Sequence, residues 1–481
     1  EFDLNDENQI KKPSLFHPPL FLYIISIWGK LFSYSEISLH FLMSIFTLWI
    51  LLRFNNILEI INKPNKKFII IALSFCPVFI LNHNIMLDIP LLAFILEFFY
   101  WTINSKCSDK KGFILSSIFF SLSSLTKYSA IPLIGKIFIK ILYKKNVKNI
   151  LWLLIPFIFF SLWMIFNLYD FGAIHFFILP SSPIWFSKYI QNLIGYFAYF
   201  GSISIFLSIL LYKEYLESKN FIFKFLLLTS IYISILVPLI IVLNYFLNFN
   251  ENLLNLILFY IFIINGCIVF LLLIKQVIKR FLIKFKFYEL ILVYWIVSLS
   301  FFSIFFAPFL ASRHIILILP AILLILDFQF KEFNKKKLKY LTLLFFSLIP
   351  SFTYVMSDIS FSNIYKKEAK KISIEFGDKN EIWFNGTWGW KFYAEENNMK
   401  YLKEISEIKS NDYLVVPKKV SGSFVPKNID LSLIKEIKIK NKFFYENFST
   451  IWFYSYFPFN NKKGKFYNSD EKEIFKIYKK N

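Results

Sequence analysis

The chain has 481 residues, of which 57% are hydrophobic and 63 are Phe, and its formal net charge is +22. Apolar runs recur from residue 37 to residue 356 between short Lys-rich connections, which excludes a soluble domain and describes a polytopic helical membrane protein. The positive charge does not imply nucleic acid, because the lysines lie in loops between apolar runs and in a polar tail.

Residues 14–36, SLFHPPLFLYIISIWGKLFSYSE, come first. The stretch from Pro18 to Phe32 is apolar but shorter than the ~20 residues needed to cross a bilayer. It is expected to lie flat in the outer interface as a juxtamembrane helix, with Pro18 and Pro19 at its start. Ser33 and Glu36 then read as a capping box that opens the first span. The sequence begins at Glu1, not at Met, and no signal peptide leads it, so a preceding span is expected upstream.

Twelve spans are predicted, at 37–52, 68–82, 85–104, 113–126, 128–143, 150–169, 191–212, 221–247, 252–274, 289–307, 312–327 and 338–356. The loops at 53–67, 105–112, 143–149, 213–220, 275–288 and 328–339 are basic. Those near residues 83, 127, 180, 250 and 310 hold almost no positive charge. That alternation follows the positive-inside rule and puts residues 1–36 and the tail outside. The organisation is therefore an outer segment (1–36), a transmembrane domain (37–356) and an extracytoplasmic α/β domain (357–481). In that tail NEIWFNGTWGWKFYAEENN predicts a strand, a turn and a helix, and NDYLVVPKK and STIWFYSYF predict further strands. Asn385-Gly-Thr387 and Asn447-Phe-Ser449 match glycosylation triplets, a weak signal. Cys76, Cys107 and Cys267 all lie outside the tail, which therefore has no disulfide framework.

All five histidines (His17, His40, His83, His175 and His314) map to the outer side, as does Asp88 in NHNIMLDIPLL. Asp88 reads either as a helix N-cap or as a carboxylate at a cavity mouth, acting on a substrate or holding a metal. Arg313, one of three arginines, breaks the charge bias; it either snorkels to headgroups or grips a phosphate bidentately. Lys127 in SSLTKYSA has the same two readings. Glu97 and Lys136 lie at equal depth in neighbouring spans and are expected to form an ion pair, a proton path being the alternative.

His17-Pro18-Pro19-Leu20 with FSYSEISLHFLMSIF, then Leu87-Asp88-Ile89-Pro90, Leu125-Thr126-Lys127, and Arg313-His314 ahead of Leu319-Pro320, resemble the GT-C glycosyltransferases. The likeness is to the branch that contains the protein O-mannosyltransferases and the lipid A aminoarabinose transferase. It implies an inverting transferase of the plasma membrane of a prokaryote. The donor would be a sugar on a polyprenyl phosphate, the acceptor a protein, lipid or glycan. A first-loop carboxylate would be the general base, and cationic side chains or a divalent metal ion would stabilise the leaving phosphate. Asp6 and Glu7 are the residues available for that base, although in the family the acidic motif stands further upstream of the HPP-like stretch. The resemblance gives Asp88 the role of a second acidic group, Arg313 and Lys127 the donor phosphate, and His17 and His314 a place in the cavity. A transporter or lipid-linked glycan flippase is the alternative; against it stand 12 Gly, no visible repeat, and polar residues near the outer rim in place of the midplane.

Overall fold

The computed structural model describes residues 17–481 except 77–78, 81–84, 105–108, 146, 173, 175–185, 204–220, 248–250, 284–285, 308–309, 311, 327–332, 378–379, 421, 427–428 and 441–470. Asp6, Glu7, His83, His175, Asn447 and the predicted strand STIWFYSYF lie outside the described residues. The chain divides into two compact units, one holding most of residues 1–351 and the other built mainly from 352–453 and 463–481.

The first unit is helical. Leu20–Phe32 forms the expected short helix, led by Pro19. The next helix, Glu36–Ile60, is capped by Ser35, whose side chain accepts from the Ser38 amide. The capping box expected from Ser33 therefore does not form: Ser33 takes a left-handed φ of 80° and instead accepts from the Ser35 amide. At the centre stands Asp88–Ile103, packed between Glu36–Ile60 and Asp109–Thr126. Apart from Asp88 and Glu97 it is almost wholly apolar, and it is buried along nearly its whole length.

Among the described residues four helices are long and apolar enough to cross a membrane: Glu36–Ile60, Val147–Asp170, Phe259–Leu282 and Phe287–Phe305. They fall on the spans expected at 37–52, 150–169, 252–274 and 289–307. Among the described residues three other expected spans are interrupted, the one at 68–82 because the helix Lys66–Ser74 ends there. Residues 128–143 begin as a 3-10 turn, Tyr128–Ile134, with Pro132 inside it, before Gly135–Lys144 becomes α-helical. Residues 312–327 divide into Ser312–Ile316 and Leu319–Ile325, the second with Pro320 in its first turn. The carbonyls freed at these breaks find side-chain donors. Tyr294 Oη donates to the Pro132 carbonyl at 2.6 Å, and Trp295 Nε1 donates to the Leu317 carbonyl at 3.0 Å.

The second unit is α/β. Among the described residues its strands are β1 (Ile382–Phe384), β2 (Lys400–Tyr401), β3 (Tyr413–Pro417), β4 (Leu431–Lys440) and β5 (Glu471–Lys480), in the order β2-β1-β3-β5-β4. β1 runs parallel to both β2 and β3, while β5 is antiparallel to β3 and β4. The helix Trp388–Glu396 makes the crossover from β1 to β2. Phe361, Tyr365 and Ile372, from the end of the Phe333–Phe376 helix, pack with Trp390, Val415 and Phe475 in its core. The β1–helix unit and β3 match the sequence expectation. Asn385 is buried and donates through Nδ2 to the Phe424 carbonyl, so it is not presented as a glycan acceptor.

Candidate functional site: an ion-paired cluster at three helix ends

Each residue of the cluster sits where a helix starts or breaks. Asp88 is the first residue of Asp88–Ile103, with Leu87 as the N-cap. Lys127 lies between the end of Asp109–Thr126 and the 3-10 turn that follows. Arg313 and His314 occupy the short Ser312–Ile316 helix, which packs against Asp88–Ile103. Irregular backbone at these points brings together side chains that are far apart in sequence.

Asp88, only 2% exposed, is the hub. Lys127 Nζ donates to its Oδ1 at 2.8 Å, and Arg313 Nε lies 3.6 Å from its Oδ2. The Arg313 guanidinium also reaches Met86 Sδ at 3.6 Å. His314 is within electrostatic reach of Asp88, Lys127, Arg313 and His17, and Arg313 is within reach of Tyr199. One carboxylate therefore faces two basic side chains, an ammonium and a guanidinium. Burying a carboxylate without a partner costs several kcal/mol, roughly. The two cations offset that cost and are fixed in return.

The N-cap of the helix is Leu87 in place of Asp88, and the side chains of Asp88 and Arg313 meet each other. Five of the predicted site residues (Asp88, Lys127, Arg313, His314 and His17) fall in one neighbourhood. Sequence reasoning did not find Met86 and Tyr199; an apolar thioether and a Tyr in an aromatic run carry no polar signal. The expected pair of Glu97 and Lys136 is not formed. Glu97 accepts from Trp49 Nε1 at 2.6 Å, Arg53 Nε at 2.5 Å and Trp101 Nε1 at 3.1 Å. Lys136 is fully buried, with its ammonium 3.7 Å from the Trp295 ring centre and flanked by Phe98 and Phe99. Glu97 is taken up by Trp49 and Arg53 of the Glu36–Ile60 helix and by Trp101, and Lys136 by aromatic rings.

The cluster does not suit a divalent metal ion. Both oxygens of Asp88 face cations, and among the described residues no three His, Cys, Asp or Glu side chains gather as ligands.

Fold and cluster together define a mainly helical protein, with several helices apolar enough to cross a membrane and a buried, ion-paired centre at helix breaks. No family model and no curated protein matches the chain. Among solved structures it is similar to the crystal structure of ArnT from Cupriavidus metallidurans bound to undecaprenyl phosphate, at 13% sequence identity, a TM-score of 0.38 and coverage of 83% of each chain. At that identity and score the likeness carries no weight for function.

Proposed function

We propose that this protein is a GT-C-type glycosyltransferase that moves a sugar from a polyprenyl phosphate to an acceptor on the extracytoplasmic face of the membrane. The observation that carries the reading is the bridging of Asp88 between Lys127 and Arg313, an arrangement that pre-orients two basic side chains. A phosphate oxygen entering beside them would gain charge-assisted hydrogen bonds in a low-dielectric setting.

In this mechanism the acceptor hydroxyl oxygen attacks the anomeric carbon as the bond from that carbon to the phosphate oxygen breaks. The configuration inverts. The electron pair leaves with the phosphate, whose growing charge falls on Arg313 and Lys127. The hydroxyl proton passes to a carboxylate base, for which Asp6 and Glu7 are the candidates. Asp88 is a positioning residue: its oxygens are taken up by the cations it aligns. His17 and His314 are assigned to substrate binding beside these cations.

Transfer of labelled sugar from a polyprenyl-phosphate donor by the purified protein tests the reading. Arg313→Ala should lose activity by ~10²–10³-fold, the scale of removing one donor to a developing oxyanion, with helix content unchanged. Arg313→Lys should recover only part, because an ammonium does not reproduce a bidentate grip. Wild-type rates in Arg313→Ala contradict the assignment. Translocation of the donor without transfer would favour the flippase instead.

A further inference from the structure

A second cationic feature lies apart from the Asp88 cluster, at the start of the Asp109–Thr126 helix. Lys110 and Lys111 occupy its first turn, both exposed. Lys110 Nζ is 5.8 Å from the centre of the Trp152 ring, and Lys111 Nζ is 5.9 Å from that of Trp101. A third ammonium, that of the buried Lys140, donates to the Trp101 carbonyl at 3.2 Å and lies 4.5 Å from the Phe113 ring centre. It comes so near the helix start that a Cβ on Gly112 would sit 3.1 Å from it. Three lysines thus converge on a helix N-terminus, whose macrodipole already disfavours positive charge.

Beside them is a shallow groove of about 230 Å³, lined by Lys110 and Lys111 together with Ile114 and Leu115. One helix therefore presents two ammonium groups and, a turn further on, two aliphatic side chains. Tryptophans such as Trp101 and Trp152 belong at a membrane interface. The basic-loop pattern assigns this end of the helix to the cytoplasmic side, where anionic lipids attract clustered lysines.

We propose that this groove binds an anionic phospholipid of the cytoplasmic leaflet. The phosphate of the headgroup sits between Lys110 and Lys111 at the helix start, and the first part of an acyl chain lies along Ile114 and Leu115. The lipid is a bound partner, distinct from any donor at Asp88. The inference rests on the membrane sidedness and not on the transferase reading.

Native mass spectrometry of the full chain released from detergent, with phosphatidylglycerol and phosphatidylcholine supplied in equal amounts, tests it. The wild type should retain phosphatidylglycerol preferentially. Lys110→Gln/Lys111→Gln should lower that preference by about fivefold for each lysine, while Lys279→Gln, which alters an exposed lysine near the end of the Glu251–Ile283 helix, should leave it unchanged. An equal preference in the double variant overturns the proposal. So does an equal loss in Lys279→Gln, which would mean diffuse surface charge. Displacement of the lipid by millimolar inorganic phosphate alone would identify a free-phosphate site and overturn it as well.

Discussion

Lys136 shows how an ionisable side chain can be accommodated without a counter-charge. Its Nζ lies against the faces of Trp295, Phe98 and Phe99, where ring quadrupoles supply some attraction, and among the described residues it has no hydrogen-bond partner. A buried ammonium with that environment opposes folding more than it supports it. Lys136→Met, of similar length, should therefore unfold in detergent at the same temperature as the wild type or a few degrees higher. A fall of the size seen for breaking a buried ion pair, about 3–5 kcal/mol, would mean that a carboxylate partner had been lost. Glu473 in β5 poses the opposite case. Its Oε2 accepts from Tyr365 Oη at 2.7 Å, and its Oε1 accepts from the amides of Lys419 and Ile474, each at 2.9 Å. Burial nevertheless outweighs these bonds and raises its carboxyl above the ordinary value of 4.5. Burial and the neighbouring Glu473 likewise push the Tyr365 hydroxyl up. An acid raised in the folded state adds stability that is fully present below pH 4.5 and is lost as pH rises through its raised value. Amide hydrogen exchange in β5, corrected for the intrinsic rate, should accelerate across that window in the full chain, and Glu473→Gln should flatten the change. An exchange rate that slows with rising pH would contradict the assignment.

At the scale of elements, one helix contact is closer than any side chain allows. A Cβ on Gly201 would fall 1.8 Å from the Phe262 carbonyl oxygen, and one on Gly266 would fall 2.0 Å from that of Phe197. Asn265 ties the same crossing, donating to the Gly201 carbonyl at 2.8 Å and accepting from Ser230 at 2.6 Å. Small residues let helix backbones touch where no hydrophobic force holds them together. Gly201→Ala should therefore cost at least ~2 kcal/mol, read as a lower unfolding temperature, because the atoms it meets are backbone and cannot swing away. An unchanged unfolding temperature would show that the crossing is looser. The elements also show what the sequence discloses. Asp88–Ile103 is plain from its apolar run. The break at Pro132 is marked by its proline, yet the span pattern hides it because every residue around it is apolar. β4 and β5 are not among the strands predicted from sequence, although LSLIKEIKIK alternates at strand period. Ser35 outcompetes Ser33 as a cap because its extended backbone aims its oxygen at the Ser38 amide, a choice that residue type alone does not make.

For the molecule as a whole, alternation of basic and uncharged loops predicts that Asp88, Lys127 and Arg313 share one side of the membrane, and the three side chains meet in the structure. Sidedness limits which residues can meet; rotation about each helix decides which do. That is why the cluster was legible and the Glu97–Lys136 pair was misread. In the proposed function Arg313 and Lys127, aligned by Asp88, hold a lipid-linked phosphate. Equilibrium binding of a polyprenyl monophosphate to the purified full chain measures this without needing the sugar or the acceptor. The account predicts saturable binding that Arg313→Ala weakens by about tenfold or more, a hydrogen bond to a charged group being worth ~1.5–3 kcal/mol. Binding of equal strength in the wild type, Arg313→Ala and Lys127→Ala would contradict it.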